Sequence, residues 1–271
     1  MVARPSTPTA VVTRATRSGK RMCPLCATKP ADTREDVLPQ WARKRIRKLG
    51  TYKGNQLPSV LLPLCQDCNS TLGRRYENET APILGPMIDG ESRQLSASDQ
   101  EIIASWIIKT LLLSALDPST PAAPAQREQI RRLCCEMRDH KRPPHQSFVR
   151  LAAFDCDQPV DANGHGTLHR PGYLPTLLAR ATQFMGCVAW EVAIGAPREL
   201  GRFVASCEDN ESLIRIWPPQ LVPVNWPPPV KLVYRDVLTL RLAWNERRWP
   251  PSPDGRLPSP LDSPRVGLFK R

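Results

Sequence analysis

Two pairs of cysteines, each spaced Cys-x-x-Cys, are the residues of this chain best suited to chemistry. The first pair is Cys23 and Cys26, and the second is Cys65 and Cys68. A tight turn of this spacing presents two thiolates together, and Zn²⁺ in structural sites takes four such ligands in a tetrahedron. The alternative is a set of unpaired buried thiols or disulfides. The spacing favours one structural Zn²⁺ held by all four cysteines.

The remaining cysteines lack metal-ligand spacing, and an odd total of nine cannot pair completely within the chain. We expect them to be small buried apolar residues or surface thiols, as in a reducing compartment. They are Cys134, Cys135, Cys156, Cys187 and Cys207.

Nothing in the sequence predicts export or membrane insertion. Residues 1–20 are basic and polar, without the apolar segment of a signal peptide. The longest apolar run covers residues 102–116, is interrupted by Ser105 and Lys109, and is short for a membrane span. We therefore expect a cytoplasmic protein that does not enter a membrane.

The charge balance favours a polyanionic partner. The chain has 38 Lys and Arg against 26 Asp and Glu, a net charge of +12, and such an excess most simply indicates nucleic acid, with DNA as the expected partner. A short helix is predicted between Pro39 and Gly50, and it is strongly basic. The alternative is a solvated surface helix without a partner. The candidate phosphate contacts are Arg43, Lys44, Arg45, Arg47 and Lys48, together with Arg74 and Arg75.

Helical and strand patterns occupy different parts of the chain, which predicts an α+β fold. A capping box formed by Ser98 and Glu101 is expected to open a buried helix that ends near Leu116. A second helix is predicted over residues 124–140. Strands of a small antiparallel sheet are predicted at residues 147–154, 185–194, 201–206 and 237–243.

These patterns divide the chain into five segments. Residues 1–20 form a basic arm, and residues 21–80 form the zinc-bound module. A helical segment with a Pro-rich linker follows at 81–145, then a β-rich domain at 146–245. Residues 246–271 are a Pro-rich tail.

A second pattern lies between and after the cysteine pairs. Glu35 and Asp36 begin the run Glu-Asp-Val-Leu-Pro-Gln-Trp that ends at Trp41, and Asn69 directly follows Cys68. Over about residues 21–116 the chain resembles the zinc-stapled, four-cysteine branch of the HNH endonuclease family. Members of that branch read CxxC, then Glu-His-Val-x-Pro-x-Trp, then CxxC-Asn.

The resemblance implies a ββα-metal fold: a hairpin and a helix that grip one catalytic cation, Mg²⁺ or Mn²⁺, beside a structural zinc. It implies that Glu35 and Asn69 bind this cation, which stabilises the phosphate and the leaving oxygen. The residue after Glu35 would be the general base. Without the resemblance, Glu35 and Asp36 would be a pair of solvent-facing carboxylates at the start of a strand.

Asp36 stands where the family has its catalytic histidine. An unperturbed Asp has a pKa of about 3.9 and accepts a proton poorly at neutral pH, so Asp36 could instead join Glu35 as a cation ligand. Three states follow. The module binds DNA without cleaving it, it cleaves slowly with Asp36 or a metal-bound hydroxide as base, or it uses His165 or His169. Asn55 is a candidate for the asparagine that braces the family's loop.

The predicted function is therefore an HNH-type, metal-dependent endonuclease, or a degenerate derivative of one, acting on DNA phosphodiester bonds. One alternative is a zinc module that binds nucleic acid without catalysis. The other is a zinc-stapled adaptor for protein partners, with its Trp-Pro stretches as docking segments.

Overall fold

Helices and antiparallel strands make up the computed structural model, which describes residues 21–49, 61–117, 123–155, 177–205 and 212–233. The α+β fold class is confirmed. The helices are α1 (Gln40–Lys48), α2 (Gln66–Ile88), α3 (Ala97–Leu116), α4 (Pro124–His140) and α5 (Pro197–Ala205). The strands are β1 (Thr33–Asp36), β2 (Leu61–Leu64), β3 (Arg93–Leu95), β4 (Ser147–Phe154), β5 (Leu177–Met185), β6 (Val188–Gly195), β7 (Ile214–Trp217), β8 (Val224–Trp226) and β9 (Lys231–Leu232).

The cysteine pairs belong to a hairpin followed by a helix. β1 and β2 are antiparallel, with Thr33 opposite Leu64 and Asp36 opposite Leu61. Helix α1 lies between these strands in the sequence, and α2 begins directly after β2, with Cys65 as its N-cap. The sequence order of this module is therefore β1-α1-β2-α2, and it places the second cysteine pair directly after the hairpin.

Helix α2 continues through two prolines that would ordinarily end it. Pro82 and Pro86 both lie inside the helix, and Pro86 has no N–H to donate to the carbonyl of Pro82, four residues earlier. The guanidinium of Arg93 donates to that carbonyl at 3.2 Å and to the carbonyl of Ile83 at 2.8 Å. An external donor thus replaces the missing backbone bond.

Helix α3 is buried on nearly all sides, as its apolar sequence predicts. Its capping box differs from the expected one. Ser96, not Ser98, is the N-cap, and Asp99 accepts from the Ser96 backbone while donating its own N–H to the Ser96 hydroxyl. Ser98 fits the sequence rule equally well, but the helix begins at Ala97, which leaves Ser98 inside the first turn.

Two other sequence predictions were correct and one was wrong. Helices α1 and α4 lie where they were predicted, with α4 matching both ends. Residues 201–206 were predicted to be a strand, but Gly201 lies within α5. This segment continues the amphipathic pattern that starts at Pro197, and Pro suits the first turn of a helix. Residues 237–243, the fourth predicted strand, lie outside the described residues.

The main sheet has the order β5-β6-β4-β7, with β9 parallel to β4. The predicted strand at 185–194 is β6 together with a turn at Gly186 and Cys187 that joins it to β5. Gly186 has φ +55°, and a side chain there would come within 2.5 Å of the Ile88 carbonyl. That carbonyl accepts the Cys187 N–H at 3.0 Å. The hairpin tip is therefore fixed to the end of α2.

One hydrophobic core joins the cysteine module to the sheet through α3. Trp106 on α3 lies between Trp41 on α1 and Trp190 on β6. The ring centroids are 5.7 Å apart on the first side and 6.1 Å apart on the second. The described helices include none with the length and apolarity needed to cross a bilayer.

Candidate metal centre and the adjoining carboxylate cluster

The structure brings the two cysteine pairs together. The four Sγ atoms of Cys23, Cys26, Cys65 and Cys68 all lie within 4.8 Å of one another. All four cysteines are free thiols, so the disulfide alternative does not apply to them. Sulfurs about 2.3 Å from a tetrahedral ion would lie about 3.8 Å apart, and the Cys26 and Cys65 sulfurs are 3.8 Å apart. The cluster can hold a metal ion.

Local backbone geometry directs both cysteine pairs toward the four-sulfur cluster. In the first pair, the Ala27 N–H donates to the Cys23 carbonyl at 2.9 Å, and Ala27 adopts a left-handed conformation with φ 55°. This closes a tight turn around Cys26. The second pair occupies the N-cap and first turn of α2, where unpaired N–H groups and the helix dipole favour negative sulfur.

Helix α4 covers the cysteine cluster from the other side. Arg138 donates to the Cys68 sulfur at 3.7 Å. Arg131 donates to the Leu25 carbonyl at 3.2 Å, and the Cys135 thiol donates to the same carbonyl at 3.4 Å. These contacts attach the turn that carries the first cysteine pair to α4. They also set a positive charge beside a cluster of potential thiolates.

The individual thiols differ in acidity. Burial raises the pKa of Cys26, but hydrogen bonds from Thr28 and from the Lys29 backbone outweigh this and lower it to about 6. Burial raises the pKa of Cys68 far above its usual value, and its contact with Cys65 raises it further, although Arg138 opposes the change. A bound cation is what would bring all four sulfurs to the thiolate form.

Next to the cysteine cluster, Glu35 lies buried beneath the hairpin at 5% exposure. Its Oε1 accepts from the ammonium of Lys109 on α3 at 3.1 Å, and Lys109 also donates to Glu77 on α2 at 3.3 Å. Lys109 is 2% exposed. One ammonium thus neutralises part of the charge of two carboxylates. Burial raises the pKa of Glu77 despite the opposing effect of Lys109.

The other oxygen of Glu35 faces the same small space as Asn69. A side-chain carbon added at Gly73 would lie 3.5 Å from Glu35 Oε2 and 3.8 Å from Asn69 Oδ1. The Asn69 amide nitrogen donates to the Thr33 hydroxyl at 3.0 Å, which leaves its oxygen toward this space. Glu35 and Asn69 therefore present two oxygen atoms to a space that the absent side chain of Gly73 leaves open.

Asp36 does not share that space. Successive strand residues point to opposite faces, and Asp36 forms an ion pair with Arg43 on α1. Arg43 is further fixed by donating to the Leu38 carbonyl at 2.9 Å. Burial raises the pKa of Asp36, and the charge of Arg43 opposes the rise. Of the three predicted cation ligands, the structure brings Glu35 and Asn69 together and turns Asp36 away.

The predicted phosphate contacts on α1 fall into two groups. Arg43 and Arg45 are half-buried and form ion pairs with Asp36 and Asp89, respectively. The second group, Lys44, Arg47 and Lys48, is exposed. Arg74 and Arg75 lie on α2. His165, His169 and Asn55 lie outside the described residues.

Glu77 and Lys109 were not predicted to belong to the site. A signal was present: a single lysine in a helix apolar nearly all round must be buried with a counter-charge. The partner could not be identified because Glu35 is 74 residues away in sequence. Another expectation was wrong. Cys187, predicted to be a thiol, is disulfide-bonded.

Comparison of the chain with protein-family models, with curated proteins and with solved structures finds no match. Within the described residues, the four cysteines form the one group of three or more Cys, His, Asp or Glu side chains arranged to hold a metal.

Proposed function

We propose that this protein is a degenerate HNH-type nuclease: a zinc-stapled ββα module that binds DNA and has lost most of its cleavage activity. The observation that carries the proposal is the placement of the Glu35 and Asn69 side-chain oxygens around Gly73, with Asn69 directly following Cys68 of the four-cysteine cluster in the sequence. These are the two positions at which the resemblance expects a hard cation. We further propose zinc as the metal and the cytoplasm as the location.

The state of Asp36 supports reduced activity. A general base must be free to reach the attacking water, whereas Asp36 is paired with Arg43 and faces away from Glu35. Lys109 also satisfies part of the charge on Glu35. If Mg²⁺ or Mn²⁺ is bound, Glu35 Oε2 and Asn69 Oδ1 would hold it, and the ion would supply charge stabilisation for a phosphate group.

DNA binding can be tested by substituting the exposed cations of α1. Each phosphate contact neutralised should lower affinity on all sequences and reduce the salt dependence. We expect Arg47→Gln with Lys48→Gln to weaken binding to a random duplex, measured by fluorescence anisotropy across a salt series. The matched control is Arg198→Gln with Lys231→Gln, which removes the same charge from α5 and β9. If the two double variants weaken DNA binding equally, the loss of affinity comes from the lower net charge and not from contacts of α1.

Cleavage is tested on plasmid DNA with Mg²⁺ and with Mn²⁺. We expect little nicking by the wild-type protein and a gain on Asp36→His, because a general base contributes roughly 10²–10⁴-fold. Asp36→Asn, which removes the charge without adding a base, is the control. Strong wild-type cleavage that persists in Asp36→Ala would place the proton acceptor elsewhere and refute the degenerate assignment. Absence of any nucleic-acid affinity would leave the adaptor alternative.

A further inference from the structure

A cavity of about 650 Å³ lies beside α5, far from the cysteine cluster in sequence. Its walls come from α5, from the start of β4, from β7 and from the segment that joins α4 to β4. The volume falls within the range of roughly 300–1,000 Å³ typical of small-molecule sites. Much of the wall is apolar, including Phe148, Leu200 and Val204.

The cavity is on the sheet face that does not contact α3. Val149 and Leu151 belong to the main core, so the alternating residues Phe148 and Arg150 point to the opposite face. Arg215 on β7 is directly opposite Arg150 in the register and shares that face. The cavity therefore lies on the face of the sheet away from α3, and Glu136 of α4 also lines its wall.

Gly201 keeps this cavity open. It lies inside α5, where glycine costs about 0.5–1 kcal/mol relative to alanine. A side-chain carbon built at Gly201 meets no atom within 4 Å, and its φ is not in the left-handed region. Neither packing nor backbone conformation therefore requires glycine at this position. What the glycine does is leave space in the cavity wall.

The charges on the wall indicate what would occupy that space. Arg150 is paired with Glu191, whereas the exposed Arg215 has no ion pair with any described residue. Arg215 is therefore a cation on the cavity wall without a counter-charge among the described residues, which favours an anion there. His145 is also exposed on the wall and offers an imidazole N–H as a hydrogen-bond donor. Glu136 is the one acidic residue among the lining side chains.

We propose that this cavity binds a small amphipathic anion, with its apolar body against Phe148, Leu200 and Val204 and its acidic group on Arg215. The proposal does not depend on the nuclease assignment.

The probe is decanoate, titrated into the full chain by calorimetry. We expect measurable binding, and a loss of about tenfold or more in affinity on Arg215→Gln, since a hydrogen bond to a charged group is worth about 1.5–3 kcal/mol. Arg198→Gln, which removes a cation from α5 outside the cavity wall, should leave binding unchanged. Decyltrimethylammonium, with the same chain length and opposite charge, should bind more weakly than decanoate.

The cavity itself is tested at Gly201. Gly201→Ala should raise Tm because alanine favours the helix, and Gly201→Leu should fill the space and abolish decanoate binding while the protein stays folded. Glu136→Gln should leave affinity the same or increase it. Decanoate binding that survives both Arg215→Gln and Gly201→Leu, or that is lost on Glu136→Gln, would overturn the proposal. So would the absence of binding to the wild-type chain.

Discussion

Two charge clusters, one in the cysteine module and one in the sheet, have opposite ratios of acidic to basic side chains. In the module, the ammonium of Lys109 lies between the carboxylates of Glu35 and Glu77, at 3.1 and 3.3 Å. In the sheet, the fully buried carboxylate of Glu191 lies between two guanidiniums, Arg150 at 2.5 Å and Arg180 at 3.5 Å. The first cluster has surplus negative charge among its members, and the second has surplus positive charge.

The difference shows which cluster has capacity for a cation. Buried charges must be paired, and each unpaired one costs several kcal/mol. In the module, Glu35 uses Oε1 for Lys109 and turns Oε2 toward the space at Gly73. In the sheet, both oxygens of Glu191 are occupied by guanidiniums. A divalent ion would relieve the module cluster and be repelled by the sheet cluster.

The largest effect should come from removing the metal ligand Cys65. Cys65→Ser, or chelation, should release the module, because metal-binding energy of about 10–16 kcal/mol is also folding energy for such sites. Hydrogen exchange should show lost protection in β1 and the start of α2, with β4 and β6 still protected. Cys134→Ala, outside the four-cysteine cluster, is the control. Uniform loss across the sheet would show that the two regions fold as one unit. Metal analysis of the wild-type protein identifies the ion.

The next effect concerns the ammonium of the module cluster. Lys109→Met leaves two buried carboxylates without their shared cation, and breaking a buried pair typically costs 3–5 kcal/mol. We expect that loss in urea unfolding, with partial recovery on adding Mn²⁺, which can take the place of the ammonium. Recovery should disappear in the double variant with Glu35→Gln. No recovery in Lys109→Met alone would mean that Glu35 cannot reach a bound ion.

The sheet cluster provides the opposite case. Glu191→Gln leaves Arg150 and Arg180 without the buried carboxylate between them, at a comparable cost of about 3–5 kcal/mol. Mn²⁺ should not restore stability in this variant, because the substitution removes the carboxylate that could bind the ion. Recovery by Mn²⁺ here would show that the cation acts nonspecifically in both variants.

The smallest effect is a pH dependence carried by Glu77. Burial raises its pKa above the usual 4.5, so the folded state binds a proton that the unfolded state has already released. Its contribution to stability is therefore complete below about pH 4.5 and is lost as the pH rises through the folded-state value. Glu77→Gln should flatten this fall in urea unfolding between pH 4 and 7. An unchanged slope would assign the dependence to another group.

Local signals in the sequence predicted several elements well. The CxxC spacing identified all four cysteines that converge, and Pro at the first turn with regular apolar spacing located α4. Both features depend on interactions between residues that are close in the sequence, so the sequence pattern is enough to predict them. The strand at residues 147–154 and its antiparallel pairing with β6 were also predicted.

Features that depend on distant partners could not be read in this way. Helix α2 continues past Pro86 because Arg93, beyond its end, supplies the donor. Asp36 is engaged in an ion pair because Arg43 on the next helix lies beside it, a partner that the local sequence does not indicate. Glu35 faces Lys109 only once α3 packs under the hairpin. In each case a tertiary contact overrode a local rule, and one sequence contains no direct record of such contacts.

The three tryptophans along the core also give the molecule an optical property. Trp41, Trp106 and Trp190 form a chain of indoles with centroid separations of 5.7 and 6.1 Å and interplanar angles of 52° and 75°. Rings this close and this tilted couple electronically and exchange excitation energy. These three of the chain's seven tryptophans will therefore contribute a near-ultraviolet circular dichroism signal that depends on the spacing between α1 and the sheet. Circular dichroism can therefore monitor the packing of the cysteine module against the main sheet without an attached label.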